Sequence, residues 1–126
     1  GDPELLAAIG RVRDEAAGQA YLDHVIEVVN ASRQAGIVCR VFVMVGLPDQ
    51  SSQSLERSEA FLRRLQPARL HVKRYSWYPG IDLPRGGDGD WSNASARLVA
   101  AANPPEARWR QAARRLLRPA ARSAHG

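Results

Sequence analysis

The sequence is poor in the residues that usually announce a site. It has one cysteine, Cys39, one methionine, Met44, and one lysine, Lys73, in 126 residues. A single cysteine excludes an internal disulfide and any metal site built from cysteines alone. No apolar run approaches the ~20 residues that cross a bilayer as a helix, so no membrane partner is expected. The opening Gly1-Asp2-Pro3-Glu4 lacks the basic flank and apolar core of a signal peptide. The first residue is not Met, so a start within a longer protein is expected, and a reducing cytoplasm is the expected setting. His24, His71 and His125 share no HxxxH or HxH spacing, which argues against zinc or non-haem iron. Neither a GxSxG elbow nor a GxxxxGK[ST] loop is present. No catalytic residue and no metal ligand is assigned.

What is present suits a folded domain. Hydrophobic residues make up 44% of the chain, enough to exclude disorder. The length is below the more than ~200 residues of a whole α/β barrel. Net charge is +5 and unevenly placed. From Pro104 onward Arg108, Arg110, Arg114, Arg115, Arg118 and Arg122 face a single acid, Glu106, while the rest of the chain balances. Such a basic segment can touch nucleic acid or an acidic protein surface, or simply be a solvated helix face.

Hydrophobic periodicity divides the chain. Asp2-Pro3 is a good helix start, with Asp as N-cap and Pro in the first turn, and Gly10 ends that helix. Arg11 to Gly18 reads as loop. Leu22, Val25, Ile26 and Val29 recur at helical spacing, and Gly36 supplies the C-terminal cap. Val38 to Val45 is apolar except for Arg40, the pattern of a parallel strand covered on both faces. Ser51 or Ser52 starts a helix that continues to Gln66, with Glu59 and Arg63 paired on its wet side. Leu70 to Tyr75 is a second strand. Strand–helix–strand of this kind requires parallel pairing. Pro84 to Asp90 reads as loop, and helices are expected over Ala94–Ala102 and from Pro105 to about Arg118. In the latter, Trp109, Ala112, Ala113 and Leu116 form an apolar stripe.

In parallel α/β structures ligands meet the carboxyl ends of strands. Those ends here are Val45-Gly46-Leu47-Pro48 and Tyr75-Ser76-Trp77-Tyr78-Pro79-Gly80. Gly46 lets a ligand approach backbone closely, while Val45 and Leu47 can cover a flat heterocycle. The second end offers three aromatics, with Lys73 two residues before Tyr75. The plainer readings are a tight turn at Gly46-Leu47-Pro48, aromatics that cap a core, and an exposed strand lysine. Cys39, within the apolar strand, reads as an inert buried thiol.

The series Ala35-Gly36-Ile37, Val41 to Val45, Gly46-Leu47-Pro48, Pro67-Ala68-Arg69-Leu70-His71-Val72 and Tyr78-Pro79-Gly80-Ile81-Asp82-Leu83-Pro84 resembles the late part of the radical S-adenosylmethionine (radical SAM) barrel. Asp2 to Arg11 is similar to the helix after its fourth strand. The fold implied is α/β: a partial (β/α) barrel with parallel strands over residues 1–84, followed by a loop and a basic helical extension over residues 85–126. The resemblance implies a parent enzyme holding S-adenosylmethionine and a [4Fe–4S] cluster, whose ligands lie outside this chain. Its wording is most similar to the cobalamin-binding group, which implies cobalamin as a further cofactor. Carried over by position, Val45, Gly46, Leu47, Pro48, Tyr75 and Trp77 are cofactor-binding, and Lys73 and Tyr78 substrate-binding. The implied partner is the N-terminal part of the same barrel. Two departures stand out: Asp49-Gln50 replaces the family's Gly-Glu, and Pro79-Gly80-Ile81 its Pro-Gly-Thr. The CxxxCxxC loop and the GGE-like strand are absent from these residues, so this chain alone is expected to be inactive. A reading of another class is a small non-catalytic α/β module whose basic C-terminal segment binds nucleic acid or a protein. A cluster-free barrel remnant acting in assembly is a third.

Overall fold

The structure, a computed structural model, describes residues 1–86 and 91–103. The expected helix from Pro105, its Trp109 stripe and the arginine-rich segment lie outside the described residues, as do residues 87–90 of the expected loop.

Six elements follow in order: α1 (Pro3–Ala8), α2 (Glu15–Gln34), β1 (Arg40–Val45), α3 (Ser52–Leu65), β2 (Arg69–Arg74) and α4 (Ala94–Ala102). Local chemistry sets most of their ends. The Asp2 carboxylate accepts the Glu4 amide at 3.2 Å to start α1, with Pro3 in the first turn. Asp14 accepts the Ala17 amide at 2.8 Å and starts α2. That helix therefore begins four residues inside the stretch expected to be loop. Gly18 sits within it because its bare Cα admits α1: a Cβ there would lie 2.9 Å from Pro3 Cα. At the other end Gly36, at φ +76°, closes α2. The Ile37 amide reaches Ser32 O at 2.8 Å, and the Gly36 amide reaches Arg33 O at 3.2 Å, the paired bonds of a Schellman cap. Ser51, rather than Ser52, caps α3 through the Ser54 amide at 3.1 Å, and Gln66 ends it at φ 46°.

β1 and β2 pair in parallel, in the register Phe42↔His71, Met44↔Lys73 and Val45↔Arg74, as the strand–helix–strand pattern predicts. The Tyr75 amide adds one more bond, to Val45 O at 2.7 Å. On one face Val45 joins Leu55, Leu62, Leu65, Leu98 and Val29 in the core, with Val41, Val43, Leu70 and Val72 packed against it. Among the described residues the other face is open: Phe42 is 67% and Met44 46% exposed. This corrects the expectation of a strand covered on both faces. An unbroken apolar run records that the chain can be buried twice, while each face is covered only if some element packs on it. Within the described residues α2, α3 and α4 supply one layer. The sheet among those residues has two strands, so the fold observed is α/β with a parallel pair.

The α3–α4 contact holds the second correction. Glu59 is 8% exposed, not on a wet side. Arg97 of α4 places Nε 2.6 Å from its Oε1, whereas Arg63 stands 3.7 Å away. Helical spacing names Arg63 as the partner, but α4, arriving from a distant part of the sequence, supplies the closer cation. Ala94, Leu98, Ala101 and Ala102 of α4 are buried, so α4 shares one core with residues before 84. Arg33 likewise has a role that its polar character hides. Its guanidinium donates to Leu65 O at 3.0 Å and Gln66 O at 2.9 Å, satisfying carbonyls left open at the end of α3.

Candidate functional site at the strand ends

The carboxyl ends of β1 and β2 lie side by side, so parallel pairing brings the two sequence-predicted site segments together. Their exposure differs. Val45, Gly46, Leu47 and Pro48 are all buried. Val45 is 1% exposed and its side chain belongs to the core. Contrary to the expectation from sequence, it does not present that side chain outward as cover for a heterocycle. Leu47 is 8% exposed.

Gly46 adopts φ +76°, a left-handed conformation that costs a residue with a Cβ roughly 1–2 kcal/mol. A Cβ on it would lie 3.3 Å from Trp91 Cδ1 and 3.6 Å from Arg74 Cγ. The space in front of Gly46 is therefore filled by the chain's own Trp91 and Arg74. Gly86 closes in from the same connection: a Cβ there would collide with the Gly46 carbonyl and approach the Tyr75 ring to 3.1 Å. The Tyr75 hydroxyl donates to Pro84 O at 3.1 Å, which ties the connection to β2. The Trp91 indole nitrogen is buried without a hydrogen-bond partner.

The first departure from the radical SAM pattern, Asp49-Gln50, has a local account. Asp49 sits at φ 60°, in the region that Gly enters freely and Asp tolerates better than most residues. Gln50 turns its side-chain oxygen back to accept the amides of Gly46 at 2.7 Å and Leu47 at 3.2 Å. A carboxylate would accept the same two bonds. Sequence reading missed this role. Its signal was a side-chain acceptor four residues after a glycine that ends a strand.

The β2 end is more open. Trp77 is 36% and Tyr78 63% exposed, while Tyr75 is half-buried. Arg85 holds its guanidinium 4.7 Å from the Trp77 ring centroid, a cation–π distance. Lys73 is exposed, opposite Met44 on the bare face. Cys39, expected as a buried thiol within the strand, lies just before β1, half-buried and free. Among the described residues no group of three His, Cys, Asp or Glu side chains could hold a metal ion, and no helix is long and apolar enough to cross a membrane.

Along β1 runs a groove of about 630 Å³. Leu5, Leu22, Val25, Phe42, Met44 and Leu47 are among its walls. The Asp2 carboxyl lies at one end. Burial pushes it up, but the Ser54 hydroxyl, Arg57 and the Glu4 amide together hold it below the usual carboxylate range. Of these, Arg57 makes the firm contact, at 3.1 Å; the Ser54 oxygen makes no well-formed hydrogen bond.

This architecture defines a class no narrower than an α/β unit with a parallel strand pair. No family model matches the chain, and no solved structure does. One curated protein is similar: a probable threonylcarbamoyladenosine tRNA methylthiotransferase of Pyrococcus horikoshii, 29% identical over 82 residues. That protein belongs to the radical SAM superfamily. The match covers 64% of this chain and 18% of the relative, so the chain spans about a fifth of its length. Cobalamin finds no support in it.

Proposed function

We propose that this chain is the late part of a radical SAM enzyme's barrel, contributing the adenine and substrate side of the S-adenosylmethionine site. The observation that carries the reading is the 82-residue similarity to a radical SAM methylthiotransferase. The parallel strand–helix–strand order agrees with it. When bound with its cluster, S-adenosylmethionine supplies a 5′-deoxyadenosyl radical that abstracts hydrogen from a substrate.

The fit of that cofactor to this structure is partial. The β2 end, with Tyr75 and Trp77, offers ring surface. The β1 end, Val45 to Pro48, is covered by Trp91, Arg74 and Gly86, and its two amides are held by Gln50. Adenine can rest on Gly46 and Leu47 only if Trp91 and Gly86 are displaced from the strand end. Gln50 keeps the strand end in shape, and Lys73 and Tyr78 face the substrate side. The cluster ligands and the rest of the barrel come from residues outside this chain, and the cytoplasm is the setting that suits an oxygen-sensitive cluster.

The deciding experiment uses the full-length gene product. Its reading frame should encode a CxxxCxxC loop before Gly1. Reconstituted anaerobically with iron and sulfide, the product should show a [4Fe–4S] spectrum and release 5′-deoxyadenosine from S-adenosylmethionine. A full-length product without those cysteines, or one that forms no cluster, overturns the reading.

A second reading is favoured by the relative's name, which concerns tRNA, and by the six arginines after Pro104. Here the basic segment binds nucleic acid. RNA affinity should then fall steeply with salt, as counterion release requires, and removal of residues 104–126 should abolish it.

A further inference from the structure

The bare face of the β1–β2 sheet is cationic. Side chains alternate across a strand, so Arg40, Phe42 and Met44 of β1 share this face with Arg69, His71 and Lys73 of β2. All six are exposed. Every carboxylate of the described residues lies on a helix or in a loop, none on either strand. Among the described residues, Arg40, Arg69, His71 and Lys73 form no ion pair; the ion pairs found there join side chains of the helices and of the residues that lead into them. On the face the Phe42 ring packs against His71, centroids 5.4 Å apart and tilted by 56°. It sets an aromatic wall beside Lys73, one layer nearer the carboxyl ends.

From this segregation we infer that the open face binds a small molecule bearing a phosphate group, with Lys73 and His71 as its principal contacts and Phe42 packed beside it. Arg69 and Lys73 with His71 between them, on alternate residues about 7 Å apart along the strand, suit a compact dianion near its upper end. Lysine and histidine meet a phosphate with charge-assisted hydrogen bonds. The proposal rests on the reading above in one respect: in a closed barrel this face lines the lumen. There, unpaired cations are costly to bury without a counterion, so the substrate itself would carry the phosphate. The binding claim concerns the 126-residue chain directly, so it fails separately from the radical SAM reading.

The test titrates the chain with inorganic phosphate at constant ionic strength, against chloride and acetate, following the ring signals of His71 and Phe42 by NMR. Phosphate alone should produce saturable shifts. Lys73→Gln should weaken the apparent affinity by about tenfold, the loss of one charge-assisted hydrogen bond. Arg64→Gln, which removes the same charge from the exposed side of α3, should leave it unchanged. A second readout guards against a variant that misfolds. Phosphate should raise the melting temperature of the wild-type chain more than that of a Lys73→Gln/His71→Gln double variant. Shifts reproduced by acetate or chloride, or an affinity unaltered in Lys73→Gln, would overturn the proposal. So would RNA binding at this face without any response to inorganic phosphate.

Discussion

The two faces of one small sheet behave as if drawn from different proteins. On the closed face Val41, Val43, Val45, Leu70 and Val72 meet α3 and α4 and form or flank the core. On the open face, the residues alternating with them include Phe42, 67% exposed, and three basic side chains of β2's neighbourhood to solvent, Arg69, His71 and Lys73. The strands are the same, and so are their hydrogen bonds. The difference is whether a layer packs on them. It teaches that apolar character in a strand is permission for burial, and that a second layer must be present to use it.

The comparison breaks most decisively in the core. Leu62 and Leu98 are 1% and 0% exposed. Replacing either with Ala should cost about 3 kcal/mol, from lost transfer energy and the cavity left behind. Phe42→Ala on the open face should cost less than about 1 kcal/mol. Urea denaturation followed by circular dichroism measures both. Equal costs would mean that the open face is covered in solution, by self-association or otherwise.

A smaller effect is expected at the strand end. Gly46→Ala forces a side chain into a left-handed backbone and against Trp91, at a cost of about 1–2 kcal/mol with no cofactor present. A neutral substitution would show that the turn is free to relax. The same strain makes a bulkier variant such as Gly46→Val a poor probe of cofactor contact, since it would perturb the turn first.

At the α3–α4 contact, Arg97→Met removes the close partner of Glu59. The loss should be roughly 1–2 kcal/mol, below the 3–5 typical of fully buried pairs, because the Arg97 side chain stays 45% exposed. Glu59→Gln in the same chain should recover part of it, and a double-mutant cycle reads the coupling. Simple additivity would place the pair in solvent.

The mildest test is pH. The Asp2 carboxyl is held below its usual range by Arg57 and its neighbours. Its contribution is therefore complete above the ordinary carboxylate pKa and is lost as pH falls through the lowered folded value. Asp2→Asn should flatten that acid limb of the stability curve. An unchanged limb would assign the dependence to other carboxylates.

The free edges complete the comparison. Among the described residues β1 keeps one edge unpaired beside an apolar groove, and exposed edges invite further strands. The isolated chain should associate as its concentration rises in sedimentation velocity. Phe42→Lys should reduce that association with little change in stability.

Much of this was legible in the residues. Asp2-Pro3, Ser51 and Gly36 mark helix ends because a cap needs a side-chain acceptor or a residue at ease at positive φ. The helix α3 between two β-rich runs demands parallel strands. The radical SAM resemblance places its motifs at the strand ends, where the structure brings them together. The start of α2 was missed because Asp14 looks like one more charge in a charged stretch until its carboxylate is seen on the Ala17 amide. The Gln50 bridge to Gly46 and Leu47 was missed because a polar residue after a turn has no periodicity to betray it.

By itself, then, the order of residues determined the elements, their caps and the parallel pairing, all set by interactions within a few residues or by the length of one crossover. Tertiary structure decided the rest. It turned Val45 inward, buried Glu59 beside an arginine 38 positions away in sequence, laid Trp91 over Gly46 and left one face of the sheet to its cations. Each of those outcomes depends on which distant surface arrives to exclude water, and no local pattern of side chains encodes that arrival.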